Sequence, residues 1–163
     1  MPLWKSANLT LQADNMTDQA EQQLAEDCAH HMFTQDVATK ALNIAVGNVK
    51  PGGATATMTV TNTMLNGHKT CHGGMIFTLA DSAFAFACNS QNHAAVAAGC
   101  TIDFVRPAFE GDQLNAQAAQ VYQGKRSGIY HVEVTNQNAQ LVAFFKGNSA
   151  RINGSVLPDS GNN

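Results

Sequence analysis

The chain has 163 residues, 44% of them hydrophobic and only 13% charged, with a net charge of -3. That is the size of one domain, with too few charges to cover a whole monomer surface, so some apolar surface is expected to be buried between subunits. No basic run is present, which argues against nucleic acid, and no apolar run approaches the length of a membrane span.

The opening Met1-Pro2-Leu3-Trp4 does not read as a signal peptide. Cys28, Cys71, Cys88 and Cys100 show no close pairing, and Cys88 and Cys100 fall in apolar segments. Buried free thiols fit a reducing compartment, so a cytoplasmic location is expected.

Residues 1–16 are polar and aperiodic and are expected to form a flexible N-terminal extension. Thr17 or Asp18 is placed to cap a helix to about Phe33, with Leu24, Cys28 and Met32 as an apolar stripe. A strand is expected over 41–49, closed by Pro51-Gly52-Gly53. Ala54, Ala56, Met58 and Val60 then alternate with four threonines, the period of a half-buried strand. From Gly73 to about Asn89 the chain reads as a helix apolar nearly all round, hence buried, with Asp81 as its one charge. Four strands follow, over 94–105, 114–122, 129–135 and 141–152, with turns at Gly124-Lys125-Arg126 and Asn136-Gln137-Asn138. A Gly/Ser/Asn tail closes the chain, which makes one domain over 17–153 and a flexible tail over 154–163. One helix apolar on all sides among antiparallel strands is best buried by a sheet that curls around it, giving an α+β architecture. The helix's remaining side then meets a partner.

Gly73 and Gly74 open that helix, where backbone amides lack intrahelical acceptors and the dipole end is positive. Such a start suits an oxyanion, and glycine admits a close ligand; equally, the pair lets helix and sheet pack closely. Asp81 is either a carboxylate satisfied by backbone amides or a base or nucleophile. It lies eight residues beyond Gly73, roughly 12 Å along a helix, too far for both to reach one carbonyl. Two such helices packed antiparallel about a two-fold would bring Asp81 of one subunit to Gly73 of the other. Two composite sites per dimer are therefore expected. His72 stands at or beside the helix cap, in a supporting or a purely structural role.

The segment Leu65-Asn66-Gly67-His68-Lys69-Thr70-Cys71-His72-Gly73-Gly74, continued to Asp81, resembles the motif of hotdog-fold acyl-CoA thioesterases. Thr101-Ile102-Asp103-Phe104-Val105-Arg106-Pro107 and Gly111-Asp112 fit the same group. With Gln123-Gly124-Lys125 and Lys146-Gly147, the resemblance narrows to the PaaI-type thioesterases of bacterial phenylacetate degradation, over roughly 29–154. It implies the hotdog fold and hydrolysis of aryl-acyl-CoA thioesters such as phenylacetyl-CoA and its hydroxylated forms. It also implies a composite site with Gly73 as oxyanion donor and Asp81 supplied in trans, in dimers and commonly homotetramers. Asn66 matches a polar amide that positions the thioester, although Asn-Gly is also a strong turn pair. Thr101 matches a hydroxyl that holds the attacking water.

Coenzyme A enters as part of the substrate, and no separate cofactor is expected. Its phosphates call for cations, and Arg106, Lys125 and Arg126, with Lys146 and Arg151, are candidates, each also readable as a solvated surface charge. The pantetheine arm would run inward to Gly73, with Gly74 a further candidate for substrate contact, and Phe77 and Phe84 would line the acyl pocket unless they simply fill the core. The six histidines show no metal-ligand spacing, so no metal is expected. A hotdog hydratase or dehydratase using His72, and a non-catalytic acyl-CoA sensor, are the alternatives.

Overall fold

The computed structural model describes residues 3–158, with side chains described from Met16 onward; Met1, Pro2 and the end of the expected tail, 159–163, lie outside the described residues. The first helix, α1, spans Leu3–Gln35. It starts well before the expected cap at Thr17 or Asp18, because neither proline nor glycine interrupts the chain between Leu3 and Gln35. Ala25 and Cys28 on it are fully buried, and Phe33 packs at 6.4 Å from Phe86. A short helix, α2, follows over Val37–Ala41, capped by Asp36, which accepts from Thr39 N–H at 2.9 Å. It takes Ala41 and a turn takes Leu42 and Asn43 from the strand expected over 41–49, so β1 covers only Ala45–Lys50.

The remaining elements are β2 (Gly53–Thr59), a one-turn 3-10 helix (Asn62–Met64), α3 (Gly73–Asn89), β3 (Ala95–Phe104), β4 (Gln113–Gln123), β5 (Ser127–Thr135) and β6 (Leu141–Arg151). The six strands form one antiparallel sheet in the order β1-β2-β4-β5-β6-β3, and α3 contacts every one of them. This is the hotdog fold: a sheet wrapped around one helix. Leu79, Ala80, Ala83 and Phe84 of α3 are at most 1% exposed, against Leu114, Ala116, Val132 and Phe145 of the sheet. Gly147 on β6 leaves the space that the Phe84 ring fills, since a Cβ there would lie 2.8 Å from it.

Three features of this fold place the site. First, α3 and β3 run antiparallel: Asn89 at the helix end exchanges hydrogen bonds with Ala95 N–H and C=O, at 2.9 and 3.1 Å. Gly73, at the helix start, lies against Phe104 at the far end of β3. Second, Gly74, Phe77, Thr78, Asp81, Ser82 and Ala85, spaced by three and four, escape full burial. They form the one stripe of α3 that its own sheet leaves open. Third, the two sheet edges differ. α1 packs on β1, where Gln22 Nε2 donates to Val49 C=O at 2.8 Å, whereas β3 has no strand beyond it among the described residues. Val96, Phe104 and Val105 stay 48%, 54% and 55% exposed along it.

Candidate active site

The chain enters α3 through a tight loop. Asn66 N–H donates to Thr70 C=O at 2.8 Å, and the Asn66 side-chain oxygen accepts from His68 N–H at 2.8 Å and from Thr70 N–H at 3.3 Å. Cys71 N–H and His72 N–H are held by Ala108 C=O and Met64 C=O, both at 2.8 Å. These bonds fix His72 in an extended conformation as the N-cap of α3. Its Nδ1 accepts from Gly74 N–H at 2.9 Å, and Met75 N–H donates back to His72 C=O. The neutral ring therefore carries its proton on Nε2.

Gly73 N–H is left over. It donates to nothing among the described residues, at the positive end of a 17-residue helix. It opens into a cleft of about 300 Å³ lined by Asn66, Ile76, Phe104 and Arg106 among others. The Asn66 oxygen braces the turn, as the Asn-Gly pair led one to expect, while its amide nitrogen, bonded only to Thr70 Oγ1 at 3.0 Å, retains a second N–H. Gly74, by contrast, has its amide engaged by His72. Arg106 lines the same cleft, with Nη1 donating to Leu141 C=O at 2.6 Å.

Asp81 lies two turns along α3, roughly 12 Å from Gly73 by helical rise. It is half-buried and accepts no hydrogen bond among the described residues, so the satisfied structural carboxylate weighed from the sequence is not what is found. Burial pushes its carboxyl above the usual carboxylate value. Cys88 and Cys100 lie close enough to feel its charge. Burial first and Asp81 second raise both thiols, Cys88 to about 12, which disfavours the reactive thiolate in each. Among the described residues no cluster of His, Cys, Asp or Glu is arranged to hold a metal ion, and no helix is long and apolar enough to cross a membrane.

Thr101 is not where it was expected. In register it faces Lys146, and the residues directly before and after it, Cys100 and Ile102, face Gly147 and Phe145 on the inner side. An irregularity between Ala97 and Gly99 sets that phase. Thr101 therefore sits on the outer face, exposed, and Cys100 takes the inward place beside Asp81. Phe77 is half-buried with its ring 5.4 Å from Phe145, while Phe84, 1% exposed between Phe145 and Tyr130, is core in this chain. Lys125 and Arg126 are exposed in the β4–β5 turn. That turn adjoins the Ala95 end of the sheet, roughly 30 Å of strand from Arg106, so one subunit does not bring these cations together. A larger hollow of about 550 Å³ over Thr57, Asn115 and Asn136 holds no ionisable group.

Neither Cys100 nor Phe104 has a place at the site expected from the sequence. Cys100 and Phe104 lie in a nearly continuous apolar run, where no alternation marks the inner face. Both face inward because they stand opposite Gly147 and the buried Ala143.

The thioesterase superfamily matches residues 68–143, a span that holds His72, Gly73 and Asp81. The acyl-coenzyme A thioesterase PaaI of Escherichia coli is 54% identical over 132 residues, 81% of this chain and 94% of that protein. This chain belongs to the thioesterase superfamily. It is a thioester hydrolase, and the span shared with that family holds an unused backbone N–H at Gly73 and a carboxylate at Asp81 with no hydrogen bond among the described residues. Among solved structures, E. coli PaaI of the phenylacetic acid degradation operon aligns with a TM-score of 0.81 at 52% identity, covering 82% of this chain and 97% of that one. A mutant of the phenylacetic acid degradation protein PaaI from Thermus thermophilus gives 0.69 at 38% identity, over 72% and 100% of the two chains. A Streptococcus mutans protein solved with acetyl-CoA gives 0.66 at 28%, over 69% and 90%.

Proposed function

We propose that this thioesterase hydrolyses aryl-acyl-CoA esters, phenylacetyl-CoA and its ring-hydroxylated relatives, to the free acid and CoA in the cytoplasm, at sites shared by two subunits. The observation that carries the reading is the pairing of an unused Gly73 N–H with an unpaired, half-buried Asp81 on one helix. The aryl-acyl preference follows the similarity to PaaI of the phenylacetic acid degradation operon.

The open edge of β3 supports the shared site. Antiparallel pairing of β3 with its own copy about a two-fold sets the Phe104 end of one strand beside the Ala95 end of the other. Exposed Val105 then meets the region of the partner subunit's Val96, and the two open stripes of α3 face each other. The same operation brings the partner subunit's Lys125 and the partner subunit's Arg126 toward Arg106, gathering cations that a single chain keeps apart. The expected homotetramer is two such dimers.

In this arrangement Gly73 N–H and the positive helix end take up the charge that develops on the thioester oxygen. The partner subunit's Asp81 either attacks the carbonyl carbon or removes a proton from the attacking water. Both routes end with one water consumed, the C–S bond broken and the CoA thiol released. The reaction needs no metal or separate cofactor, and His72 holds the loop that aims the donor.

The test is thiol release from phenylacetyl-CoA, hydroxyphenylacetyl-CoA and hexanoyl-CoA. The aryl esters are expected to show the higher kcat/KM. A preference for hexanoyl-CoA would overturn the substrate assignment, and acyl-CoA binding without turnover would favour a sensor.

A further inference from the structure

We propose that Phe104 is the residue that selects aromatic acyl groups, by placing its ring beside the acyl chain as the carbonyl settles on Gly73 N–H. The inference deepens the aryl-acyl-CoA reading and rests on it. Phe104 ends β3 on the inner face of the sheet, yet it remains 54% exposed. Its ring tip lies over Gly73: a Cβ built there would be 2.9 Å from Phe104 Cζ. A carbonyl oxygen held by Gly73 N–H is thereby placed next to this ring.

The other aromatic candidates are already engaged. Phe77 stacks edge-on against Phe145, and Phe84 packs between Phe145 and Tyr130. Phe104 has no ring partner among the described residues. The cleft it lines is also polarised. Asn66 and Arg106 give its lining polar groups that suit the CoA arm, and Ile76 and Phe104 give it apolar ones. An aryl group one methylene from the carbonyl therefore meets the exposed Phe104 ring, within the roughly 4.5–7 Å centroid range in which offset and edge-on aromatic pairs gain energy beyond area burial. A flexible aliphatic chain gains only the burial.

The test compares Phe104→Leu, which stays apolar, with Phe104→Tyr, which keeps the ring, in the full-length protein. For Phe104→Leu the ratio of kcat/KM for phenylacetyl-CoA over hexanoyl-CoA should fall roughly two- to tenfold, the range expected for one lost aromatic pair. Phe104→Tyr should hold the wild-type ratio. An unchanged ratio in Phe104→Leu, or an equal fall in Phe104→Tyr, would overturn the proposal. Should the wild type prefer hexanoyl-CoA, the substrate reading fails alone, because the shift on Phe104→Leu still reports the ring's contribution. Should it hydrolyse neither ester, dissociation constants for phenylacetonyl-CoA and its aliphatic ketone counterpart, both non-hydrolysable thioethers, read the same ratio.

Discussion

Gly73 is the first residue of α3, and proline is tolerated at that position because the amide it lacks has no helical acceptor. His72, at φ -61° and ψ 132°, already holds the extended conformation that a residue before proline requires. Gly73→Pro thus deletes the proposed oxyanion donor while leaving the helix start intact. Gly73→Ala keeps the N–H and is the matched control, since both variants add a Cβ against the Phe104 ring. Thiol-release assays should show Gly73→Pro about 10²- to 10³-fold below Gly73→Ala in kcat, the loss typical of one oxyanion donor. Equal losses would place the donor elsewhere. Asp81 lends itself to a second prediction. Burial raises its folded-state carboxyl above the unfolded value, so the folded state holds that proton more tightly. The contribution to stability is present below the unfolded pKa and is lost as pH rises through the folded one. Asp81→Asn should therefore melt higher than wild type at neutral pH, with the gap closing as pH falls toward about 4, the usual carboxylate region, while thiol release is lost. A lower melting temperature at neutral pH would mean that the carboxylate has a structural partner.

At the scale of elements, legibility followed from how strongly each segment's pattern excluded alternatives. α3 was plain because a long apolar run with a glycine start and one carboxylate fits no strand, and it was found at Gly73–Asn89. β2 was plain because Thr and apolar residues alternate through it. α1 was harder: its stripe through Cys28 was readable, but Thr17 looks like a cap although the backbone runs helical through it. Capping residues mark where a helix is able to start, not where it must. α2 was hidden because five residues leave no periodicity, and only Asp36 bonding Thr39 N–H reveals it. The costliest ambiguity was β3. Its apolar run gives no sign of which face is inward, and a register irregularity turned Thr101 to the outer face and left Cys100 facing inward. Of the candidate site, Gly73 and Asp81 stand out in the sequence by their place in the helix, and Asn66 by the resemblance, whereas Phe104 needed the register.

At the scale of the whole molecule, the separation of Gly73 from Asp81 becomes a statement about subunits. One rigid helix holds both, and its sheet covers every face except the stripe through Asp81, so neither group has freedom to approach the other within a chain. The dependence on a second subunit is open to direct test by mixing two inactive proteins. In a heterodimer of Gly73→Pro with Asp81→Asn, a trans arrangement leaves one site with both substitutions. The other site joins the intact Gly73 of one chain to the intact Asp81 of its partner. After dissociation and random reassociation of equal amounts, half of the dimers are mixed and each carries one working site of two, so about a quarter of wild-type activity should return. A cis arrangement returns none, because every site in every dimer then carries one of the two substitutions. Native mass spectrometry of the same mixtures, with one variant labelled with 15N, confirms that the chains have exchanged. Exchange without recovered activity would refute the shared site.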